Sequence, residues 1–204
     1  MSSADNVLFR VRGEPVIRHP DGSVEFRGEA TIDADGSPHA YHPQGSPPGL
    51  DYLANAGHTG NWWGLACDVN GKPIVQGAGD PAPGFFVSTT SYLVPGFAHG
   101  DPRRYLDSER VPFIVVPSPL IRAVPEVVIG CKAMIVDTLN GHSFDVVAGD
   151  IGPATHLGEM SIFAANGLSI PSNPKTGGNS QPRRFRYLLW PGVAAPGFRL
   201  QPAS

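Results

Sequence analysis

The sequence predicts a mainly β protein, barrel-like, with long loops and one or two short helices. Three observations predict it. Glycine (25) and proline (22) exceed a fifth of the 204 residues and are spread without a period, so turns are frequent throughout. Between the turns lie short apolar runs rich in Val, Ile, Phe and Tyr, the composition of half-buried strands. Few segments read as helical, and the strands lie far apart in the chain, which favours a closed or nearly closed barrel over a bundle.

In chain order, Val7–Arg12 and Pro15–His19 alternate apolar with polar and predict a first hairpin, with Gly13-Glu14 as its turn. Asp21-Gly22 turns into a long strand over Val24–Ile32, which ends in the Asx-turn sequence Asp33-Ala34-Asp35-Gly36. The Asp-x-Asp-Gly beginning of a calcium loop is there, but the glutamate that must close such a loop is missing, so calcium is rejected. Leu50–Ala56 predicts one or two helical turns. Asn70-Gly71 between apolar runs predicts pairing of Trp63–Val69 with Lys72–Gln76. Phe85–Tyr92 and Val111–Val116 follow as strands, the latter bracketed by Pro112 and Pro117. Val127–Thr138 and Ser143–Ala148 predict a second hairpin across Asn140-Gly141. A short helix is expected from Leu157 or Gly158 to Gly167, with Glu159 in its first turn. Arg183–Trp190 is the last strand. No repeat, low-complexity tract or linker divides residues 1–204, so one domain is expected.

The net charge of −3 argues for neither nucleic acid nor an anionic membrane as partner, and no apolar run reaches the length of a membrane span. The N-terminal stretch lacks the charged-then-apolar pattern of a leader. The chain is therefore expected to remain in the cytoplasm, to be exported by a non-classical route, or to stand here without its leader. Cys67 and Cys131 both fall in strand-like runs and are read as unpaired small hydrophobes, a disulfide staying open should their strands be neighbours. No zinc framework exists, and His39-x-x-His42 has no third ligand, so no metal and no cofactor is expected. A monomer is expected.

Chemistry concentrates in Ser143–Leu168. Asp150 ends an apolar strand and Glu159 follows nine positions later, beyond the turn-forming Gly152-Pro153. Two carboxyl groups on rigid elements, folded toward each other, suit general acid–base cleavage of a glycosidic bond. Equally, Asp150 caps a turn and Glu159 complements a helix dipole. His156, between them, either tunes Glu159 or occupies a surface turn.

Seven segments then carry a resemblance. Asp33-Ala34-Asp35-Gly36-Ser37-Pro38-His39-Ala40-Tyr41-His42-Pro43, Leu50 to Gly57, Gly60-Asn61-Trp62-Trp63-Gly64, Asp80 to Thr90, Val111 to Pro117, Gly149-Asp150-Ile151-Gly152-Pro153 and Leu157-Gly158-Glu159-Met160-Ser161 occur in order between about Ala30 and Ile170. Together they resemble glycoside hydrolase family seventy-five, the fungal-type chitosanases and their bacterial relatives. The resemblance implies a fold similar to a double-psi β-barrel, secretion, and endo-hydrolysis of β-1,4-linked glucosamine polymers with inversion. It implies Asp150 and Glu159 as the catalytic pair. Ile151 and Met160 depart from the pattern, where smaller residues are expected, and would narrow the cleft.

A strand-end Asp150, partly buried beside a second carboxylate, would be the acid, and Glu159 at a helix start the base, although the reverse is physically reasonable. Substrate contacts are expected from Asp33 and Asp35 for the sugar ammonium, with Tyr41 beside them. Trp62 and Trp63 should point to opposite faces, so that only one serves sugar. Asn61 and Asp51 are further candidates. Two alternatives stay open: hydrolysis of another β-1,4-glycan such as peptidoglycan, for which Arg103-Arg104 and Arg183-Arg184-Arg186 supply positive charge, and a non-catalytic carbohydrate-binding domain.

Overall fold

The computed structural model of the chain describes residues 6–202. Nine strands form one mixed sheet: β1 (Asn6–Val11), β2 (Glu14–Arg18), β3 (Val24–Gly28), β4 (Thr31–Asp33), β7 (Phe113–Pro117), β8 (Cys131–Asp137), β9 (Ser143–Gly152), β10 (Glu159–Ser161) and β11 (Phe185–Ala194). Their order is β1-β2-β3-β11-β8-β9-β7-β10-β4. A separate pair joins β5 (Gly57–His58) to β6 (Asn61–Trp62). Two short α-helices, α1 (Ser118–Ala123) and α2 (Ile162–Gly167), and two 3-10 turns, Leu53–Ala56 where helical turns are expected and Pro102–Arg104, complete it among the described residues.

The mainly β reading with short helices holds, and several boundaries move. The first hairpin turns on Arg12-Gly13, one residue early, because both take positive φ (46° and 89°) and Val11 pairs with Glu14. The single strand expected over Val24–Ile32 is two. Its first half pairs with β2 and β11, its second with β10, and Glu29-Ala30 bends between them. The hydrogen-bonded ladder is therefore open, with β1 and β4 at its ends. The Asn70-Gly71 turn forms and its arms pair over a short stretch, with Cys67 opposite Pro73 and backbone bonds from Asp68 N to Lys72 O and from Ile74 N to Ala66 O. Further along, Leu65 and Val75 meet Ser88 and Phe86. The hairpin across Asn140-Gly141 is as expected, with Val136 opposite Ser143.

Alternate residues of the strands meet in one core. Phe26, Ile32, Ile114, Ile135, Ala148, Met160, Phe185 and Tyr187 all belong to it, and Phe26 stacks on Tyr187 at 5.0 Å. Phe113, Val115 and Val147 face the other way into a smaller cluster with Tyr92 and Leu106. Cys131 is buried, Cys67 half-buried, and both are free thiols.

Candidate active site

Asp150 owes its position to a bulge. Ile114 on β7 pairs with Ala148 on β9, and the next residue, Val115, pairs with Asp150, so Gly149 is the extra residue. Strict alternation from core-facing Ala148 would turn Asp150 inward. The bulge moves it to the opposite face, beside Val115. Only glycine fits there, because a Cβ on residue 149 would lie 2.6 Å from Phe113 Cβ.

Glu159 reaches the same face from the other side of β7. Met160 pairs with Ile114 in antiparallel register, which puts Glu159 level with Val115. The expected helix start at Leu157 or Gly158 is wrong: Glu159 is the first residue of β10, and the helix begins at Ile162, capped by the Ser161 side chain. The local reason is Gly158. Its φ of 96° and its contact with Glu29, which a Cβ would approach to 2.3 Å, commit this segment to pairing with β4. The helix-dipole argument for an ionised Glu159 therefore lapses.

Asp33 and Asp35 complete the group from the end of β4. Parallel pairing sets Asp33 opposite Ser161. Ser108 locks this corner, its hydroxyl donating to Asp33 O and accepting from the Ile162 amide. The four carboxyl groups, with Asp51, Asn55, Trp63, Val115 and His156, line one cleft of about 390 Å³.

Their environments differ. Asp150 Oδ1 accepts three hydrogen bonds, from Ser91 Oγ (2.5 Å), Ser91 N (2.8 Å) and Ile151 N (2.7 Å), which leaves Oδ2 for the cleft. Burial raises its pKa, and these three bonds pull against the rise. The Glu159 carboxyl has no hydrogen-bond partner among the described residues. Burial, then the charges of Asp150 and Asp51, raise it to about 7. Asp35 Oδ1 accepts from Tyr41 Oη at 2.7 Å and Ser88 Oγ at 3.3 Å. Asp33 is 7% exposed, its Oδ1 accepts from Asp35 N at 2.7 Å, and its Oδ2 is buried with no partner. Burial is the main cause that raises both, well above the usual carboxylate range, with the neighbouring carboxylates adding to it.

Among the sequence candidates, Asp150, Glu159, Asp33, Asp35, Asp51 and Trp63 share the cleft. Tyr41 also lines it, but at 2% exposure it is a buried support for Asp35 rather than a sugar platform. Trp62 packs on the main core and Asn61 is exposed on β6; neither lines the cleft. His156 is no surface turn residue: it lines the cleft and its Nε2 lies 3.0 Å from Thr31 Oγ1. His39 and His42 sit elsewhere, both edge-on to Phe85, with His39 Nδ1 3.0 Å from Glu109. Among the described residues, no three His, Cys, Asp or Glu side chains are arranged to hold a metal ion. Sequence reasoning missed Ser91, which is 59 positions from its partner and sits in a run of hydroxyl residues that carries no signal.

No protein-family model matches the chain, and a search of curated proteins finds no match to it.

Proposed function

We propose that this cleft hydrolyses β-1,4-linked glucosamine polymers such as chitosan, internally and with inversion. The observation that carries the reading is the meeting of Asp150 and Glu159 in one open cleft, in unlike environments. Glu159, unbonded and raised to about 7, is the general acid. Asp150, held by three donors to one oxygen, is the base. This reverses the roles expected from a helical Glu159.

Asp150 and Glu159 flank Val115 from strands on either side of β7. Adjacent strands are about 4.8 Å apart, so their backbones stand about 10 Å apart. That spacing leaves room for a water between sugar and base, as inversion requires. Glu159 gives its proton to the glycosidic oxygen as the C1–O bond breaks. Water attacks C1 from the opposite face and loses a proton to Asp150. The products are a new α-configured reducing end and a free 4-hydroxyl group, and a proton passes from Asp150 to Glu159 through solvent before the next turnover.

The lining favours a cationic chain. Five carboxyl groups and no Lys or Arg line the cleft among the described residues. The arginines that would suit an anionic wall polymer are engaged elsewhere: Arg103 with Asp101, Arg183 with Glu14, Arg184 with Asp137, Arg186 with Glu25, and Arg104 with the Phe97 carbonyl. Asp33 and Asp35 are read as the partners of the sugar ammonium, and Trp63, 59% exposed, as a face for a ring. We also propose the double-psi-like barrel that the resemblance implies; Glu29-Ala30 links β3 directly to β4, the third and the last strands of the ladder, which supports it.

The test is product analysis on fully deacetylated chitosan beside purified peptidoglycan. New reducing ends from chitosan alone, appearing first as the α-anomer in time-resolved NMR, agree with the reading. Cleavage of peptidoglycan alone moves the substrate, and binding without cleavage makes the domain a lectin. Azide should rescue Asp150→Gly and not Glu159→Gly if the roles are as given.

A further inference from the structure

His156 also lines a second recess of about 250 Å³, large enough for one sugar unit. The cleft and the recess therefore share a wall. The sign of charge changes at that point. Arg12, Arg27 and Arg183 line the recess, against Glu14 and Glu29. Glu14 is neutralised by Arg183 at 2.7 Å. Arg27 has only a 3.4 Å contact to Glu25, which Arg186 holds more closely at 2.7 Å. Arg12, in the hairpin turn at φ 46°, makes no ion pair among the described residues.

Two guanidinium groups with unused N–H donors thus border a pocket for one ring. A guanidinium donates and cannot accept, and an ammonium group likewise only donates. A glucosamine unit would bring like charge to these guanidinium groups and only hydroxyl, ring and glycosidic oxygens to accept from them. An N-acetylglucosamine unit brings a neutral amide whose carbonyl oxygen accepts, and Val11 and Leu157 give its methyl group an apolar wall.

We propose that the recess is a distal subsite selecting an N-acetylated sugar at a fixed distance from the cut. It rests on the hydrolase reading of the cleft, and it makes the protein a reader of acetylation pattern: free amine at the acidic cleft, acetamide beyond His156.

Partially acetylated chitosan is digested, and the products are end-labelled and sequenced by mass spectrometry. The expected result is at least about threefold enrichment of acetylated units at one position away from the new chain end. Arg12→Asn, which tolerates the left-handed turn, should reduce that enrichment, and Arg12→Glu should turn it into depletion. Uniform acetylation at every position, or enrichment unchanged in both variants, overturns the subsite. A second measurement does not depend on turnover. Titration with N,N′-diacetylchitobiose, followed by amide NMR, should shift His156 and Leu157 in the wild type and not in Arg12→Glu; shifts elsewhere only, or equal in both, overturn it. Absence of any cleavage of deacetylated chitosan would defeat the hydrolase reading alone, since the titration still decides the subsite.

Discussion

Ser91 Oγ stands 2.5 Å from Asp150 Oδ1, and the Ser91 amide adds a bond to the same oxygen at 2.8 Å. The Ser91 hydroxyl also accepts from Ile151 N at 3.1 Å, so it joins carboxylate and backbone into one unit. A hydrogen bond to a charged group is worth about 1.5–3 kcal/mol. Ser91→Ala should therefore lower kcat by about tenfold to a hundredfold with little change in KM. Because the Ser91 hydroxyl bond lowers the Asp150 pKa, its loss should move the acid limb of the pH–rate profile to higher pH. Ser91→Thr should restore most of both.

Glu159 titrates near 7 in the fold against an ordinary 4.5. The native state thus holds a proton that the unfolded chain has released, and stability falls as pH rises from about 4.5 through 7. Glu159→Gln removes that cost. Its melting temperature should exceed that of the wild type at pH 8 and match it at pH 4, a gain of roughly 1–3 kcal/mol. The same titration gives activity an alkaline limb near pH 7, where the general acid is lost.

Asp33 carries a buried carboxyl oxygen with no partner, at a cost in stability that a binding role would account for. Asp33→Asn should raise the melting temperature at pH 7 by roughly 2–4 °C for each kcal/mol recovered. It should also raise KM for fully deacetylated oligosaccharides more than for partly acetylated ones. Calorimetry and steady-state kinetics on one preparation check both halves.

Gly149→Ala tests the bulge. Its methyl group would meet Phe113 Cβ at 2.6 Å, overpacking at a cost of about 1–3 kcal/mol. It would also shift Asp150 from its place opposite Val115. Activity should fall by more than the folded fraction does. As a control, Arg184→Met leaves Asp137, which is fully buried, without its partner at 2.6 Å and should destabilise by about 3–5 kcal/mol. Activity per folded molecule should be preserved in that variant.

Local signals carried the hairpin of β8 and β9, where Asn140-Gly141 allows only one connection, and the carboxylates Asp150 and Glu159 themselves. What they missed depends on partners distant in the chain. Val24–Ile32 reads as one strand because nothing local says that its ends join different neighbours. Glu159 reads as helical because Ser161, a better cap, lies only two residues on, and because the claim of β4 on Gly158 comes from 127 positions away (158 − 31). Ser91 and Tyr41 are held by other distant partners, through Tyr92 N to Gly149 O and Phe86 N to Tyr41 O. Spacing could bring two acids near each other in sequence, and only the β4–β10 ladder adds Asp33 and Asp35 to them.

The most direct measurement is release of reducing ends from fully deacetylated chitosan by the wild type, Asp150→Asn and Glu159→Gln, each confirmed folded by circular dichroism. Steady release by the wild type, with a loss of at least about a thousandfold in each variant, is the predicted result. Comparable rates in all three, or no release by the folded wild type, would contradict the account.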